Sequence, residues 1–464
     1  MLLVAGIVSV CSVGAPAAAD AAFSAPVELG HGPFGVGVVS ATDAGGGATA
    51  VMLRVDGGAR LVQRASGAAA WGASERLPGR KLGKVAGPVV AAAGLGAAAV
   101  AWRIDTPKRY GAIVAFARDP GGAFGAPVQV SDEQANGVRH PALAIDPSGH
   151  GLLAYNTDTR KAHLSLKGAV AVSTRAVGGA FGAPVVVDAQ LSGPPAAAIG
   201  VDGKGIVAWL RDRRVWAVTV DTVAGRVGRP TAVTPIGRYG AVHVAAGPDG
   251  AATIAFKARK ADHPAARWGV AAVRRPPGGS FAGRRLQVVD RIDAGYYLDD
   301  VALAADDEGR TTLAWSPERY GQDRSVGFNG VSSTVRFAIA QGGGASTTFG
   351  KPRDVDVDGA GRRKLLCSTP SVAAAHGRSV VGYTCSDRKS YTISAATLRG
   401  ARPTVPQIVL SGPLQPTSYG QTPSASAGLD RTGTATIIAT RPDPTTPSTP
   451  PGPTTERILA VTGR

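Results

Sequence analysis

The 464-residue sequence predicts an all-β protein, a β-propeller of eight four-stranded blades. Three observations carry that expectation. Eight glycines (Gly47, Gly96, Gly149, Gly203, Gly250, Gly309, Gly377 and Gly433) are each followed, six residues later, by the end of a short apolar strand. Those ends are Leu53, Trp102, Tyr155, Trp209, Phe256, Trp315, Tyr383 and Ala439, of which six are aromatic, and an all-β period of roughly fifty residues marks radially repeated sheets. Composition agrees: Gly 63 and Pro 33 are turn-rich, and the apolar fraction of 44% rests on Ala and Val more than Leu, which favours many short strands. Length is the third observation, because the chain exceeds the size of one compact core while repeats let a core grow sideways.

The third repeat shows one whole unit. Pro141 to Asp146 reads as a small-residue strand A, and Asp146 to Gly149 as a tight turn. Gly151 to Tyr155 returns as strand B, Ala169 to Arg175 is strand C, and Gly178 to Val187 supplies a turn and strand D. Strand D carries its own mark, an aromatic followed by proline at plus three, as in Phe23/Pro26, Phe124/Pro127, Phe181/Pro184 and Phe349/Pro352. Proline is confined to sheet edges, so D belongs at the outer rim. Strands A are rich in alanine and fit the crowded axis. The aromatics after strand B are expected in the walls between blades rather than as ligand platforms.

The phase of the ends predicts how the ring closes. Phe23 to Gly30 is a D strand with no preceding A, B or C, and Arg457 to Val461 is a C strand with no following D. The first strand therefore completes the last blade. Seven blades remain the alternative, with the weak first or last repeat outside the ring. On this reading D-to-A and B-to-C loops share one face of the disc. They are long and variable, which marks that face for binding.

Residues 1–22 read as a secretory signal: the apolar run Leu2 to Val13 precedes Ala17-Ala18-Ala19, a small-residue cleavage pattern. Val10 before Cys11 argues against lipidation. No later run has the ~20 apolar residues of a membrane span. Residues 23–464 are thus expected to be one secreted, extracellular, monomeric propeller domain. Cys367 and Cys385 flank the hairpin turn at His376-Gly377 almost symmetrically, which predicts a disulfide in an exported protein.

The net charge of +17 admits two accounts. It attracts polyanions such as acidic polysaccharide, or it reflects arginine dispersed over a solvated surface. The doublets Arg213-Arg214, Arg274-Arg275 and Arg284-Arg285 and the run Arg362-Arg363-Lys364 fall in different repeats, which favours dispersion. The histidines lack metal-ligand spacing, and no phosphate loop, dinucleotide fingerprint or nucleophile elbow occurs, so no metal, cofactor or catalytic residue is assigned. The acidic strings Asp306-Asp307-Glu308 and Asp354-Val-Asp356-Val-Asp358 leave Ca²⁺ possible in composition but match no known loop.

The candidate ligand site lies around the sixth repeat. The D-to-A loop is expected to present Arg291, Asp293, Tyr296, Tyr297, Asp299 and Asp300, beside Asp290. The B-to-C loop is expected to present Arg319, Tyr320, Asp323 and Arg324. Tyrosines for stacking and arginines for carboxylate pairing suit a carbohydrate or acidic ligand, while two solvated loops of mixed charge are the alternative. A weaker cluster combines Asp132, Glu133, Arg139 and His140 with Lys108, Arg109 and Tyr110.

The run ALAIDPSGHGLLAY, with ALAADDEGRTTLAW and GVDGKGIVAW, resembles the repeat of secreted bacterial β-propeller proteins. A looser likeness is to sialidase-type propellers, whose Asp-box reads Ser-x-Asp-x-Gly-x-x-Trp. Asp307-Glu308-Gly309 approaches it, with Trp315 six residues past the glycine instead of three. The resemblance implies a blade architecture. Two functions follow as expectations: a non-enzymatic binding propeller for carbohydrate or polyanionic surface polymer, which is preferred, or a glycoside hydrolase or polysaccharide lyase on the same scaffold.

Overall fold

A computed structural model describes residues 23–33, 38–43, 45–53, 59–77, 84–92, 96–106, 109–131, 138–158, 168–190, 193–259, 268–292, 296–320, 330–342, 348–355, 366–386, 390–400, 402–413, 425–442 and 455–463. Residues 1–22, expected to be a signal, lie outside them. Eight antiparallel sheets follow one another along the chain, each built on a path A-B-C-D, and three of them carry a further short strand. Every A strand touches the A strand of the next blade, and the eighth touches the first, so the A strands form a closed inner ring. Crowding there explains the small side chains. A Cβ on Gly428 of the eighth A strand would stand 2.0 Å from Thr42 Oγ1 of the first.

The termini close the ring as the phase requires. Val27–Pro33 pairs antiparallel with Thr455–Gly463, becoming the outer strand of the sheet that also holds Ala435–Pro442 and Ala425–Leu429. Eight apolar clusters fill the eight seams between blades. Each contains one residue at plus six from a repeat glycine, and all eight are buried: Met52, Trp102, Tyr155, Trp209, Phe256, Trp315, Tyr383 and Ala439. The aromatics are the walls between blades.

The first repeat is shifted by one residue from the sequence expectation. Its turn glycine is Gly46, at φ +84°, and the buried residue at plus six is Met52 rather than Leu53. The run Gly45-Gly46-Gly47 hides the phase, and Asp43 reveals it. Asp43 Oδ1 accepts the Gly45 and Gly47 N–H groups, both at 2.8 Å. Asp146, Asp306 and Asp430 cap their turns in the same way, each three residues before its glycine.

A second recurrent contact locks these turns. Arg64, Arg118, Arg175 and Arg275 close the C strands of blades 1, 2, 3 and 5, and each donates to the carbonyl of its own turn glycine: Gly46, Gly96, Gly149 and Gly250. Three of the guanidinium groups also lie over the aromatic that marks strand D, at 5.4 Å for Trp71, 5.2 Å for Phe124 and 5.3 Å for Phe281. Arg64, Arg118 and Arg175 reach back to the preceding blade as well, to Thr436, Gln63 and Asp119. In blade 4 the Thr222 hydroxyl donates to Gly203 O at 2.8 Å instead. One guanidinium thus joins turn, rim and neighbour.

The proline of the D mark is not inside the strand. Pro184 and Pro352 stand immediately before Val185–Asp188 and Arg353–Val355, so they start the outer strand without needing a ladder N–H. Phe181, Phe281 and Phe349 are buried beside them.

Cys367 and Cys385 are directly opposite in the ladder of Leu366–Ala375 and Arg378–Ser386 and form a disulfide. Their Cα atoms are 4.0 Å apart, and the bond lies beyond the hairpin turn at His376-Gly377, where φ is +44° and +70°.

Two outcomes test this account. Arg175→Ala removes hydrogen bonds from a buried guanidinium to a carbonyl and to Asp119, and should lower stability by about 1.5–3 kcal/mol in urea titration followed by tryptophan fluorescence. A change within about 0.5 kcal/mol, the range of ordinary surface substitutions, contradicts the locking role. Nonreducing mass analysis should find Cys367 bonded to Cys385, and Cys385→Ser should cost about 2–4 kcal/mol.

Candidate functional site

Five inner strands are longer than their apolar stretches suggest, because each continues past a β-bulge. The extra residues lie at Gly87-Pro88, His140-Pro141, Ala241, Asp299-Asp300 and Thr369-Pro370. Proline fits a bulge, where the ladder is already interrupted. His140 and Ala241 take positive φ there, +53° and +38°. Beyond the bulges, strands A and B run on as paired hairpins toward the face of the D-to-A and B-to-C connections. Much of what composition marks as loop is therefore ladder.

This relocates the sixth-repeat residues. Tyr296–Ala305 is strand A and Thr311–Tyr320 is strand B of blade 6. Tyr296 pairs with Arg319 and Tyr297 with Glu318, and Tyr320 pairs with Gly330 of a short added strand, Gly330–Ser333. Asp299 and Asp300 occupy the bulge, opposite Ser316. The register brings tyrosines, an arginine, a glutamate and two aspartates onto adjacent strands of one hairpin. Asp293, Asp323 and Arg324 lie outside the described residues. Arg291 ends strand D of blade 5, Gln287–Arg291, and is exposed.

Asp290, on the same strand, has a structural task. Its Oδ2 accepts from Trp315 Nε1 at 2.9 Å and from Arg336 at 3.2 Å, both in blade 6. Asp188 makes the same junction between blades 3 and 4, accepting from Trp209 Nε1 at 2.7 Å and Arg211 at 3.0 Å. Partial burial disfavours the charge of the half-buried Arg336 guanidinium, yet Asp290 and Asp354 together hold it above the ordinary arginine value. Asp354 from the second acidic string is thus engaged by Arg336 at 2.9 Å, while Asp356 and Asp358 lie outside the described residues.

The string Asp306-Asp307-Glu308 is likewise committed. Asp306 caps its own turn and accepts the Gly377 N–H at 3.1 Å, and Asp307 accepts the His376 N–H and meets His376 Nδ1 at 2.8 Å. These contacts join the turns of blades 6 and 7. Among the described residues no group of three or more His, Cys, Asp or Glu is placed to hold a metal ion.

The weaker cluster lies partly on the same kind of ladder. Asp132 and Glu133 lie outside the described residues, as does Lys108. Arg139 pairs with Asn156, and His140 sits in its bulge. Arg109 pairs with Thr106, so blade 2 joins B to C through two residues instead of a long loop. Blade 4 does the same at Asp212-Arg213, both at positive φ.

A cleft escaped the sequence reading. A cavity of about 690 Å³ on the rim is lined by strands C and D of blade 5 and by Thr348 of blade 6, and Arg274, Arg284, Arg285 and Arg291 all border it. The four come together because Ala272 pairs with Gln287 in the C–D ladder, which folds the Arg274-Arg275 and Arg284-Arg285 doublets back on each other. The signal was two arginine doublets flanking a C-to-D turn.

No protein-family model matches the chain, and no curated protein does. Similar solved structures include the polysaccharide lyase Uly1, 11% identical over 79% of this chain and 88% of that one, with TM-score 0.46. The BP39L lectin from Burkholderia pseudomallei is 15% identical over 79% of this chain and 96% of its own, with TM-score 0.46. The α-L-arabinofuranosidase Arb93A from Fusarium graminearum is 12% identical, covering 81% and 98%, with TM-score 0.40. Such likeness concerns the path of the chain alone. Among the described residues no helix is long and apolar enough to cross a membrane.

Asp290→Ala orphans Trp315 Nε1 and should cost about 1–3 kcal/mol in chemical denaturation. Asp290→Asn, which keeps an acceptor but drops the charge facing Arg336, should fall between that variant and the parent.

Proposed function

We propose that the protein is a secreted, non-enzymatic binding propeller. It recognises carbohydrate or polyanionic cell-surface polymer on the face of the D-to-A and B-to-C connections. The supporting observation is the blade 6 hairpin, whose register sets Tyr296 against Arg319 and Tyr297 against Glu318 beside the Asp299-Asp300 bulge. Tyrosine supplies a flat apolar surface with a polar edge, and carboxylates and arginine supply directed hydrogen bonds to hydroxyl or acidic groups. Arg291 and Tyr320 end the neighbouring strands, and by their place in the sequence Asp293, Asp323 and Arg324 are proposed to complete the set. Export rests on residues 1–22 acting as a cleaved signal, and the Cys367–Cys385 bond suits an oxidising compartment.

A glycan array probed with the mature protein tests binding. Retention of one glycan class that weakens about tenfold in Tyr297→Ala and in Asp299→Asn is the expected result, in keeping with the loss of one stacking or charged contact. Turnover of a fluorogenic glycoside or an unsaturated product from a polysaccharide, abolished by Asp299→Asn, would replace binding by catalysis. Amino-terminal sequencing of protein from the culture medium should begin near residue 23, and an intact 1–22 segment would remove the secretion step.

A further inference from the structure

We propose that the rim cleft between blades 5 and 6 is a second ligand site, built for an oligoanion carrying at least two sulfate, phosphate or carboxylate groups. Four arginines, Arg274, Arg284, Arg285 and Arg291, border one cavity of about 690 Å³, and among the described residues that line it there is no acidic side chain. That volume suits a ligand of about disaccharide size. The guanidinium fork offers parallel N–H donors to a planar or tetrahedral oxyanion, and several forks converging on one cavity favour a ligand with several such groups.

Other rim arginines are answered differently. Arg175 meets Asp119 at 2.9 Å, Arg211 meets Asp188 at 3.0 Å, and Arg336 meets Asp290 and Asp354 at 3.2 and 2.9 Å. Each pairing brings a carboxylate to the guanidinium from the fold itself. In the blade 5–6 cleft four arginines converge from strand C, strand D and the turn between them, and the described residues lining it bring no carboxylate.

The floor of the cleft is preorganised. Arg274 Nε donates to Thr253 Oγ1 at 3.2 Å, and its terminal nitrogens donate to Gln341 O and Gly309 O, each at 3.2 Å. Its ring-stacked neighbour Phe349 lies 5.9 Å away and is tied to Gln287 by two hydrogen bonds, at 2.8 and 2.9 Å, that cross the blade seam. Burial pushes the Arg274 guanidinium down to about 10, which still leaves it charged at neutral pH. Arg284 is steadied by Ser280 O at 3.0 Å. Arg284, Arg285 and Arg291 are exposed, so the mouth is open to solvent while the floor is fixed. Ala272, Pro276, Leu286 and Val288 form the apolar part of the wall, against which the uncharged frame of a ligand can rest.

Isothermal titration of the mature protein tests the site, with inorganic sulfate, tripolyphosphate, a disulfated heparin disaccharide and digalacturonate as probes and cellobiose as the neutral control. At least one multiply charged probe should bind, more tightly than sulfate, and cellobiose should not. Arg285→Ala and Arg291→Ala should each weaken it about tenfold, the loss of one charged hydrogen-bonding group, with thermal stability unchanged because both side chains are exposed. Arg229→Ala and Arg402→Ala, exposed arginines elsewhere, should leave it unchanged. Preference for the sugar acids over tripolyphosphate identifies an acidic saccharide as the source, and the reverse identifies a linear phosphate. Absence of binding by every charged probe, or equal binding by the Arg285→Ala/Arg291→Ala double variant, overturns the proposal. Arg291 also belongs to the set proposed for the blade 6 face, so Arg285→Ala, which does not, separates the two sites: loss of oligoanion binding with glycan retention unchanged concerns the cleft alone.

Discussion

The architecture depends on how each blade fastens the turn between its two inner strands. That turn places a glycine at positive φ, and its carbonyl needs a donor at the edge of the sheet. In four blades the donor is an arginine from the end of strand C. Lysine would not serve equally. The planar guanidinium can donate in several directions while its carbon lies over an aromatic ring, as in Arg64, Arg118 and Arg275 over Trp71, Phe124 and Phe281. The contact spans turn, third strand and the start of the fourth, so it resists the splaying of a blade into separate hairpins. Its reach to the preceding blade makes the same residue a tie around the ring.

That arrangement changes the meaning of the basic composition. A net charge of +17 with arginine outnumbering lysine by more than three to one suggests a surface property. Several of those arginines are instead buried, and burial pushes the guanidinium groups of Arg64, Arg118, Arg275 and Arg310 below their ordinary value. Carboxylates nearby offset part of that cost: Asp430 and Asp43 for Arg64, Asp202 for Arg275, Asp306 for Arg310. The Arg274-Arg275 doublet illustrates the economy of a strand end. Successive side chains point to opposite faces, so Arg275 bonds Gly250 in its own blade and Arg274 bonds Gly309 in the next.

What is local in the chain was legible before any coordinates. The repeat glycines, the order of strands and the Cys367–Cys385 pair follow from spacing within one or two hairpins, and closure by the first strand follows from the phase of the repeat at the two ends. The first repeat was misplaced by one residue because three successive glycines fit the same pattern, and only the Asp43 cap distinguishes them. The continuation of strands A past Pro88, Pro141 and Pro370 was hidden, since proline reads as an end when a bulge is not anticipated. Asp212-Arg213 hid a two-residue hairpin, because neither residue announces positive φ as glycine does. The arginine cleft is least legible of all. It needs the pairing of Ala272 with Gln287 and the approach of the next blade, neither of which any single segment encodes.

The bulge compares blades on equal terms, because it occupies nearly the same place in each inner strand that has one. Three of the five blades put proline at its second residue, a choice that leaves no N–H to satisfy where the ladder is broken. Blade 6 puts Asp299-Asp300 there, opposite Ser316. Relative to the three proline-bearing bulges, that exchange restores one backbone N–H and places two acidic residues in the interrupted stretch of ladder. The core beside the bulge is kept, since Trp315 and Val301 are both buried. Blade 6 therefore departs from its proline-bearing siblings at an interruption of the ladder rather than in its seam, on the same strand as Tyr296 and Tyr297.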